Sequence, residues 1–300
     1  MGSLKTFALA GLLTAASSAA LAADLLPAPV LAPVPVVEVG SGWYLRGDVG
    51  VGSLELRRFD GVNTNTAFSN SGYIIEQKEI ADQAFVGGGF GYQFSSFFRA
   101  DLTVEYRTAA AFKAVEKDTN VYGYTDEHGT FYQIHPGYNG STGAYDQHGF
   151  NVTHGNLRSV VGLANAYVDF GTWHGLTPFI GAGVGVAHHM VSGFGDRGEG
   201  FYRGSLGYAP DHDKTTFAWA LHAGLGYHVN HNLKLELAYR YLNLGEAQTG
   251  VVACQNTHEC PKTVYHLREL DSHDVKIGMR WLLGAPVAPV MAEAPLVRKY

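Results

Sequence analysis

Long apolar runs are rare in this chain of 300 residues. Beyond residue 22, no segment has the roughly 20 consecutive apolar residues that a membrane-spanning helix needs. Sequences with the 3.6-residue period of an amphipathic helix are also scarce. The mean hydropathy is −0.04, and charged residues make up 16% of the chain. Transmembrane barrels have similar averages, because only every second residue of their strands faces lipid, so low hydropathy does not identify a soluble protein.

Cysteine and basic clusters are scarce as well. The two cysteines, Cys254 and Cys260, lie in the segment CQNTHECP. In an exported protein we expect a disulfide between them, which would close this short loop. A metal site is disfavoured, because only His258 lies between the two thiols and a fourth ligand is not evident. The formal net charge of −6 argues against a nucleic-acid partner.

The first residues have the pattern of a secretory signal peptide. Lys5 supplies a positive charge, an apolar run follows over 7–13, and the sequence ALA that ends at Ala22 suits signal peptidase. We predict cleavage after Ala22, with Ala23 as the alternative site. The mature chain is therefore expected to be exported.

Eight segments of the mature chain alternate apolar and polar residues with a period of two, which is typical of a β-strand between two environments. They begin at Gly42, Ala84, Phe97, Ser159, Thr177, Thr216, Leu233 and His273. Each is about ten residues or longer, which is the length that a tilted strand needs to cross a hydrocarbon layer. The sequence therefore predicts eight membrane-length strands.

The connections between these segments alternate strictly between short and long. The short ones are at 95–96, 172–176 and 230–232. The long ones, expected as loops without structure, cover 57–83, 108–158, 191–214 and 245–272. Outer-membrane barrels have tight turns on the periplasmic side and long loops outside. The alternation therefore predicts an all-β fold: an eight-stranded antiparallel transmembrane β-barrel with short periplasmic turns and long extracellular loops.

This interpretation divides the chain into four parts. They are a signal peptide over 1–22, a Pro-rich periplasmic N-terminal segment over 23–41, the outer-membrane barrel over 42–283, and a Pro-rich C-terminal tail over 284–300. We expect both Pro-rich flanks to be extended and to have no core of their own.

The two faces of the predicted strands differ in chemistry. In LKLELAYRYLNL, which begins at Leu233, leucines and tyrosines share one parity while Lys234, Glu236 and Arg240 share the other. An eight-stranded barrel is just wide enough inside for side chains, so large rings would crowd it. We therefore expect the charged, glycine-rich face to point inward, with opposite charges paired. The predicted inward charges are Arg46, Asp48, Arg99, Asp101, Glu105, Arg107, Asp169, Lys234, Glu236, Arg240, Asp274, Lys276 and Arg280.

Four Gly- and aromatic-rich motifs occur in order along the chain: WYLRGDVGVG, NAYVDFGTW, TPFIGAGVGVA and AYRYLNLG. Together they resemble the small porin-like surface-antigen barrels of alphaproteobacterial outer membranes. The resemblance implies an eight-stranded barrel with exposed loops and a structural or porin-like role, and some relatives bind haem. The chain departs from the family at its C-terminus. In the family the last strand ends the chain with an aromatic residue that the insertion machinery reads, whereas here 17 residues follow Leu283.

The function expected from these observations is a structural or porin-like role at the surface of a Gram-negative bacterium, without catalysis and with a lumen closed by paired charges. The expected partners are outer-membrane lipids and lipopolysaccharide, the barrel assembly machinery, and host or phage surface molecules.

Two alternatives remain open at this point. Haem or another small ligand could bind the His- and Tyr-rich loops, with His128, His135, His148 and His154 as candidate ligands. Their irregular spacing favours solvated loop histidines instead, and no cofactor or metal is predicted. A lipid-modifying enzyme would need a serine, a histidine and a carboxylate together. The nearest such set is Ser192, His188-His189 and Asp196, but most loops of this composition would offer one, so no catalytic residue is predicted.

Overall fold

The computed structural model describes residues 42–63, 73–118, 122–125, 128, 131–134, 138–139, 144–145, 149–200, 204–255 and 262–283. The predicted signal peptide and both Pro-rich flanks lie outside these residues. Within the described ranges, no helix is long and apolar enough to span a membrane.

Eight long strands form a closed ring. They are β1 (Gly42–Asn63), β2 (Gln83–Gln93), β3 (Phe98–Asp118), β4 (Gly149–Asp169), β5 (Leu176–Gly200), β6 (His212–His228), β7 (Leu233–Gln248) and β8 (Thr263–Leu282). Each strand pairs antiparallel with the next one along the chain. The ring closes because β8 also pairs antiparallel with β1, from Tyr44–Leu282 to Asn63–Thr263. The predicted eight-stranded antiparallel ring is therefore confirmed.

The three short connections lie at one end of the ring, which is the periplasmic end. Between β4 and β5, Gly171 and Gly175 have φ angles of 96° and 83°, a backbone conformation that favours glycine. Between β6 and β7, the side-chain oxygen of Asn230 accepts hydrogen bonds from the backbone N–H groups of Asn232 and Leu233, at 2.9 and 2.8 Å. Asparagine often stabilises turns in this way.

The connections at the opposite end contain more strand than the sequence analysis expected. Strand β3 continues through Asp118 and β4 already begins at Gly149, so much of the predicted 108–158 loop is wall. The period of two explains this: Phe112 and Ala114 are buried while Lys113 is exposed. The expectation that these connections lack structure was wrong, because the ladder hydrogen bonds continue beyond the membrane.

Short strands complete this extracellular part. Tyr73–Ile80 pairs with β3, and Leu206–Ala209 pairs with both β5 and Ala253–Cys254. Within the loop between β3 and β4, Tyr122–Thr125 pairs with Phe131–Ile134, and Tyr138–Asn139 pairs with Ala144–Tyr145.

A band of apolar side chains, the apolar belt, surrounds the periplasmic half of the ring. One residue from each strand illustrates it, with exposed fractions from 41 to 60%: Val49, Val86, Val104, Val168, Val184, Leu221, Leu237 and Ile277. Large continuous apolar patches are unfavourable in water but match the hydrocarbon of a bilayer. Trp43 and Trp281 lie at the periplasmic edge of the belt, where interfacial aromatic residues are expected. The barrel therefore spans the membrane at this height.

The interior changes chemistry along the barrel axis, which the sequence analysis did not predict. At the height of the belt the lumen holds charged side chains, whereas above the belt it holds an apolar cluster, here called the upper core. This cluster includes Leu54, Leu56, Phe59, Phe112, Leu157, Val191, Phe194, Leu242, Leu244, Tyr265, Leu267 and Leu270. In β7 the change falls between Arg240 and Leu242. The extracellular half of the barrel thus has an apolar inside, like a water-soluble protein.

Candidate functional site

The structure places all thirteen charged residues that were predicted to face inward in the barrel interior, each at most 7% exposed. They come from β1, β3, β4, β7 and β8, where alternate residues point into the lumen. They form two groups. The central cluster is Glu105, Arg107, Arg240 and Asp274, and the periplasmic cluster is Arg46, Asp48, Arg99, Asp101, Asp169, Lys234, Glu236, Lys276 and Arg280.

The central cluster contains two guanidinium groups and two carboxylates. Arg240 donates two hydrogen bonds to Glu105, at 2.7 and 2.8 Å, and its Nε donates to Asp274 at 2.8 Å. Arg107 donates to the same two carboxylates, at 3.1 Å to Glu105 and 2.8 Å to Asp274. Such bidentate, charge-assisted contacts are among the strongest that side chains make. The charges balance inside the cluster, as burial requires.

Glycine at position 52 leaves the space that this cluster occupies. Gly52 on β1 lies opposite Asp274 in the β1–β8 ladder. A Cβ atom at this position would collide with Asp274 Oδ1, Arg107 Nη2 and Ser272 Oγ. The absence of a side chain in β1 therefore allows Arg107 to reach across to β8.

Glu236 is the centre of the periplasmic cluster. Its carboxylate lies 3.5 Å from Arg46 Nη2, 3.3 Å from Arg99 Nη2 and 3.2 Å from Arg280 Nε. Arg99 also pairs with Asp169, at 3.2 Å. Three cations thus share one carboxylate.

Arg46 connects Glu236 with the other carboxylates of the cluster. It pairs with Asp101 at 2.6 Å and with Asp48 at 2.9 Å. Lys276 approaches Asp48 from β8, at 3.5 Å. The ion pairs therefore continue around the lumen from β8 through β1 to β3.

Uncharged side chains complete this network, and the sequence analysis missed them. Tyr44 and Asn165 donate hydrogen bonds to Asp101 at 3.0 and 2.8 Å, and the hydroxyl of Tyr167 accepts one from Arg46 at 3.1 Å. The parity of the strands could have identified them, because Tyr44 alternates in phase with Arg46, and Asn165 and Tyr167 alternate in phase with Asp169.

Aromatic rings fill the top of the upper core. Tyr265 stacks on Phe59 with ring centroids 5.3 Å apart, and Phe194 lies 5.1 Å from Tyr265. The Tyr265 hydroxyl donates a hydrogen bond to Glu116 at 3.0 Å. Glu116 and Asp196 both lie at this height, above the apolar belt. Burial raises the pKa of Glu116 to about 7 and the pKa of Asp196 to about 6.

The four histidines proposed as haem or metal ligands are not brought together in the described part of the chain. His128 lies in an exposed turn, and His154 is exposed on the outer wall of β4. His135 and His148 lie outside the described residues. Among the residues that the structure describes, no group of three or more His, Cys, Asp or Glu side chains is arranged to hold a metal ion.

The structure places the two histidines of the hypothetical catalytic set on opposite faces of β5. His188 points outward, where its Nδ1 lies 2.9 Å from Thr215 Oγ1. His189 points inward, and its ring contacts Ser159 Oγ at 2.7 Å and the Leu244 carbonyl oxygen at 2.9 Å. Because neighbouring residues of a strand face opposite sides, these two histidines cannot serve one site.

Cys254 is disulfide-bonded. Its predicted partner, Cys260, lies outside the described residues, so their pairing stays a prediction.

Comparison with known proteins gives relatives and structural neighbours. No protein-family model matches the chain. An uncharacterized protein of Brucella suis biovar 1 is 30% identical over 249 residues, which are 78% of each chain. An uncharacterized protein of Brucella melitensis biotype 1 is 31% identical over 248 residues, again 78% of each chain. The outer membrane protein PagN of Salmonella typhimurium is 26% identical over 215 residues, which are 68% of this chain and 75% of PagN.

The chain is also similar to two solved structures. Neisserial surface protein A has a TM-score of 0.40 at 16% identity and covers 81% of this chain and 99% of its own. OprG from Pseudomonas aeruginosa has a TM-score of 0.44 at 10% identity and covers 82% of this chain and 97% of its own.

The family therefore follows from the Brucella relatives, and the fold and the apolar belt agree with it. The barrel lies in the outer membrane of a Gram-negative bacterium, in contact with its lipids and lipopolysaccharide. The chain belongs to the family of small porin-like outer-membrane β-barrels of alphaproteobacteria.

Proposed function

We propose that the protein is a structural, non-enzymatic component of the cell surface whose lumen is closed to solutes. The observation that carries this proposal is the filling of the interior at two heights. Charged side chains occupy the lumen at the height of the membrane, and the upper core occupies it above. The protein is porin-like in its architecture, whereas we expect its permeability to be far below that of a porin.

The ion pairs support a closed lumen because they cross it from wall to wall. In a ring of eight strands, β3 and β7 lie opposite each other. Arg240 on β7 contacts Glu105 on β3, and Arg99 on β3 contacts Glu236 on β7. Two layers of side chains therefore extend across the full diameter, as expected for a barrel of this size.

Conductance tests the closed lumen directly. The folded protein would be inserted into planar lipid bilayers, and unfolded protein at the same concentration would be the control for leakage that insertion itself causes. We expect the folded wild type to give no stable current steps. Regular steps of one size that need the folded barrel would contradict the proposal.

The extracellular half supports a role at the cell surface. Above the apolar belt, the outside of the wall carries charged residues such as Arg57, Lys113 and Arg197, which are exposed to water. This surface projects beyond the lipid, where host or phage molecules could contact it. The barrel assembly machinery is the partner we propose for its insertion.

Cell fractionation combined with protease treatment of intact cells tests the surface role. We expect the protein in the outer-membrane fraction, with cleavage restricted to the extracellular segments. Protection of these segments in intact cells, together with cleavage after lysis, would contradict it.

Lipid A from cells with and without the protein should have the same acylation, and a difference would argue for an enzyme.

A further inference from the structure

The periplasmic cluster contains one more cation than carboxylates, whereas the central cluster is balanced. Its carboxylates are Asp48, Asp101, Asp169 and Glu236, and its cations are Arg46, Arg99, Lys234, Lys276 and Arg280. His222 and His228 also face this part of the lumen from β6, and when both are counted as neutral, one positive charge lacks a counter-charge. An uncompensated buried charge is strongly unfavourable, so the group needs a further anion.

Lys234 is the cation without a partner. Its side chain is buried, at 4% exposure, and in the described part of the chain its Nζ makes neither an ion pair nor a hydrogen bond. Arg280 lies directly opposite Lys234 in the β7–β8 ladder, and Arg46 lies opposite Arg280 in the β8–β1 ladder. Like charges on directly opposed positions repel each other. Three adjacent strands thus bring three cations side by side.

Arg99 supplies a second set of free donors in the same region. Its side chain is fully buried, and neither of its terminal nitrogens has a hydrogen-bond partner, although Nη2 lies 3.3 Å from Glu236. The guanidinium lies over the rings of Tyr167 and Phe179, at 4.0 and 4.8 Å from their centroids. Lys234 points to the same side of β7 as Glu236, two residues along the strand, and Glu236 contacts Arg99. Unpaired buried donors of this kind are rare in native proteins and call for a partner.

A small space lies at the same end of the lumen. Gly226 faces the lumen from β6, opposite Glu236 in the ladder. A Cβ atom at this position would meet no atom closer than 3.6 Å, whereas Cβ atoms at the inward-facing Gly91 and Gly224 would collide with Tyr44 and Phe179. The lumen therefore has room for a small group beside Gly226, and it has none beside Gly91 or Gly224.

We propose that one small monovalent inorganic anion, a halide such as chloride, binds in the periplasmic end of the lumen between Lys234 and Arg99. It accepts hydrogen bonds from Lys234 Nζ and from Nη1 of Arg99, and its single charge balances the excess of the cluster. A monatomic ion suits the limited space next to Gly226 better than a larger oxyanion does. The site does not require that the lumen be closed.

Bromide identifies the site by X-ray diffraction. Crystals of the full-length protein grown in sodium bromide would be measured at the bromine absorption edge. We expect one anomalous peak inside the lumen, within hydrogen-bond reach of Lys234 and Arg99. A lumen without a peak, or peaks on the outer surface alone, would overturn the proposal and indicate that Lys234 is uncharged or hydrated.

Unfolding in urea measures binding in solution, and urea is used because guanidinium chloride would itself supply the anion. Stability would be compared in chloride and in gluconate at equal ionic strength. At a chloride concentration ten times the dissociation constant, the unfolding constant of the wild type should fall about elevenfold. Equal stability in both salts would contradict the proposal.

A pair of lysine variants separates this site from general salt effects. Lys234→Met removes the proposed ligand, and we expect it to lose both the chloride effect and the bromide peak. The control is Lys214→Met, because Lys214 lies above the belt and already has Glu246 as its partner. A chloride effect that persists in Lys234→Met would contradict the assignment, and if this variant fails to fold, the bromide measurement on the wild type decides.

Discussion

Arg240 has a central position among the residues of the lumen, since its guanidinium contacts both carboxylates of the central cluster. Replacing it with methionine, which keeps much of the length, leaves Glu105 and Asp274 to share Arg107. Breaking a buried ion pair in this way is expected to lower the free energy of unfolding by about 3–5 kcal/mol. Urea unfolding in lipid vesicles, followed by tryptophan fluorescence, measures the change.

Arg197→Met is the matched control for this prediction. Arg197 also pairs with a carboxylate, Glu199, at 2.5 Å, but both side chains are exposed, at 64% and 39%. Solvent screens such pairs, so the loss should stay below about 1 kcal/mol. Equal losses in both variants would mean that the central cluster contributes no more than a surface pair.

Gly52 gives a second prediction at the residue scale. Gly52→Ala would place a methyl group among Asp274, Arg107 and Ser272, and overpacking of this kind should lower the free energy of unfolding by about 1–3 kcal/mol. Gly47→Ala on the same strand is the control, because nothing lies within 4 Å of its Cβ position. We expect it to change stability by less than about 1 kcal/mol. Similar destabilisation in the two variants would show that strand propensity, and not the cluster, is responsible.

The raised pKa of Glu116 predicts that stability depends on pH. Burial raises its pKa from 4.5 to about 7, so between these values the folded state holds a proton that the unfolded chain releases. The contribution of this group to stability is therefore complete in acid and falls as the pH rises toward 7. Glu116→Gln should reduce the loss of stability seen between about pH 5 and about pH 8 in urea unfolding. An unchanged pH profile in this variant would contradict the prediction.

The faces of the charged residues could be predicted from the sequence, but their contacts could not. A period of two assigns Arg240 and Glu236 to the inward face of one strand, because neighbouring positions alternate between the two sides. It does not tell which residue lies across the lumen, since Glu105 is 135 positions away from Arg240 in the chain. Contacts of this kind depend on the register of several ladders together.

At the scale of the strand, β1 passes through two solvents. Val49 belongs to the apolar belt, at 54% exposure, and Val62 on the same strand is 41% exposed above it. A lysine near the centre of the bilayer is expected to lower the free energy of unfolding by about 2–4 kcal/mol. Val49→Lys should therefore be strongly destabilising, as measured by urea unfolding in vesicles.

Val62→Lys is the control on the same strand and starts from the same residue type. Because Val62 lies in water on the outer wall, the change should remain within about 0.5 kcal/mol. If Val62→Lys is as damaging as Val49→Lys, the hydrocarbon layer extends higher than the apolar belt indicates.

The ends of the strands are harder to predict from the sequence than their faces. The segment predicted for β1 ends at Leu56, whereas the strand continues to Asn63. Above Val51 the pattern reverses, since Leu54 and Leu56 face inward and Glu55 and Arg57 face outward. The period of two persists through the reversal, so the alternation alone predicts that the strand continues. An apolar outer face does not predict this part of the strand, because it ends where the membrane ends.

At the scale of the whole molecule, two barrels of opposite polarity are joined end to end by continuous strands. The membrane half has an apolar outside and a charged inside, and the extracellular half has a charged outside and an apolar inside. The apolar outside of the membrane half contacts hydrocarbon, and the charged outside of the extracellular half contacts water. The interior of each half has the opposite polarity to its outer face. The height of the barrel in the membrane is therefore fixed by where the polarity reverses.

The four tryptophans of the chain test this placement. Trp43, Trp173 and Trp281 are exposed at the periplasmic edge of the belt, while Trp219 lies at the opposite edge, paired with Asn243 across β6 and β7. All four should therefore lie near the lipid head groups. In vesicles of brominated lipid, we expect bromine high on the acyl chains to quench their fluorescence more than bromine near the methyl ends.

A triple variant makes the same test on the outer edge alone. With Trp43, Trp173 and Trp281 each changed to Phe, the remaining fluorescence comes from Trp219, and the preference for bromine high on the chains should persist. Stronger quenching by bromine near the methyl ends would place Trp219 at the bilayer centre, so that the hydrocarbon would reach the upper core. Fluorescence that is equal in brominated and ordinary lipid would mean that the belt does not contact the bilayer, because water or protein would then be its neighbour.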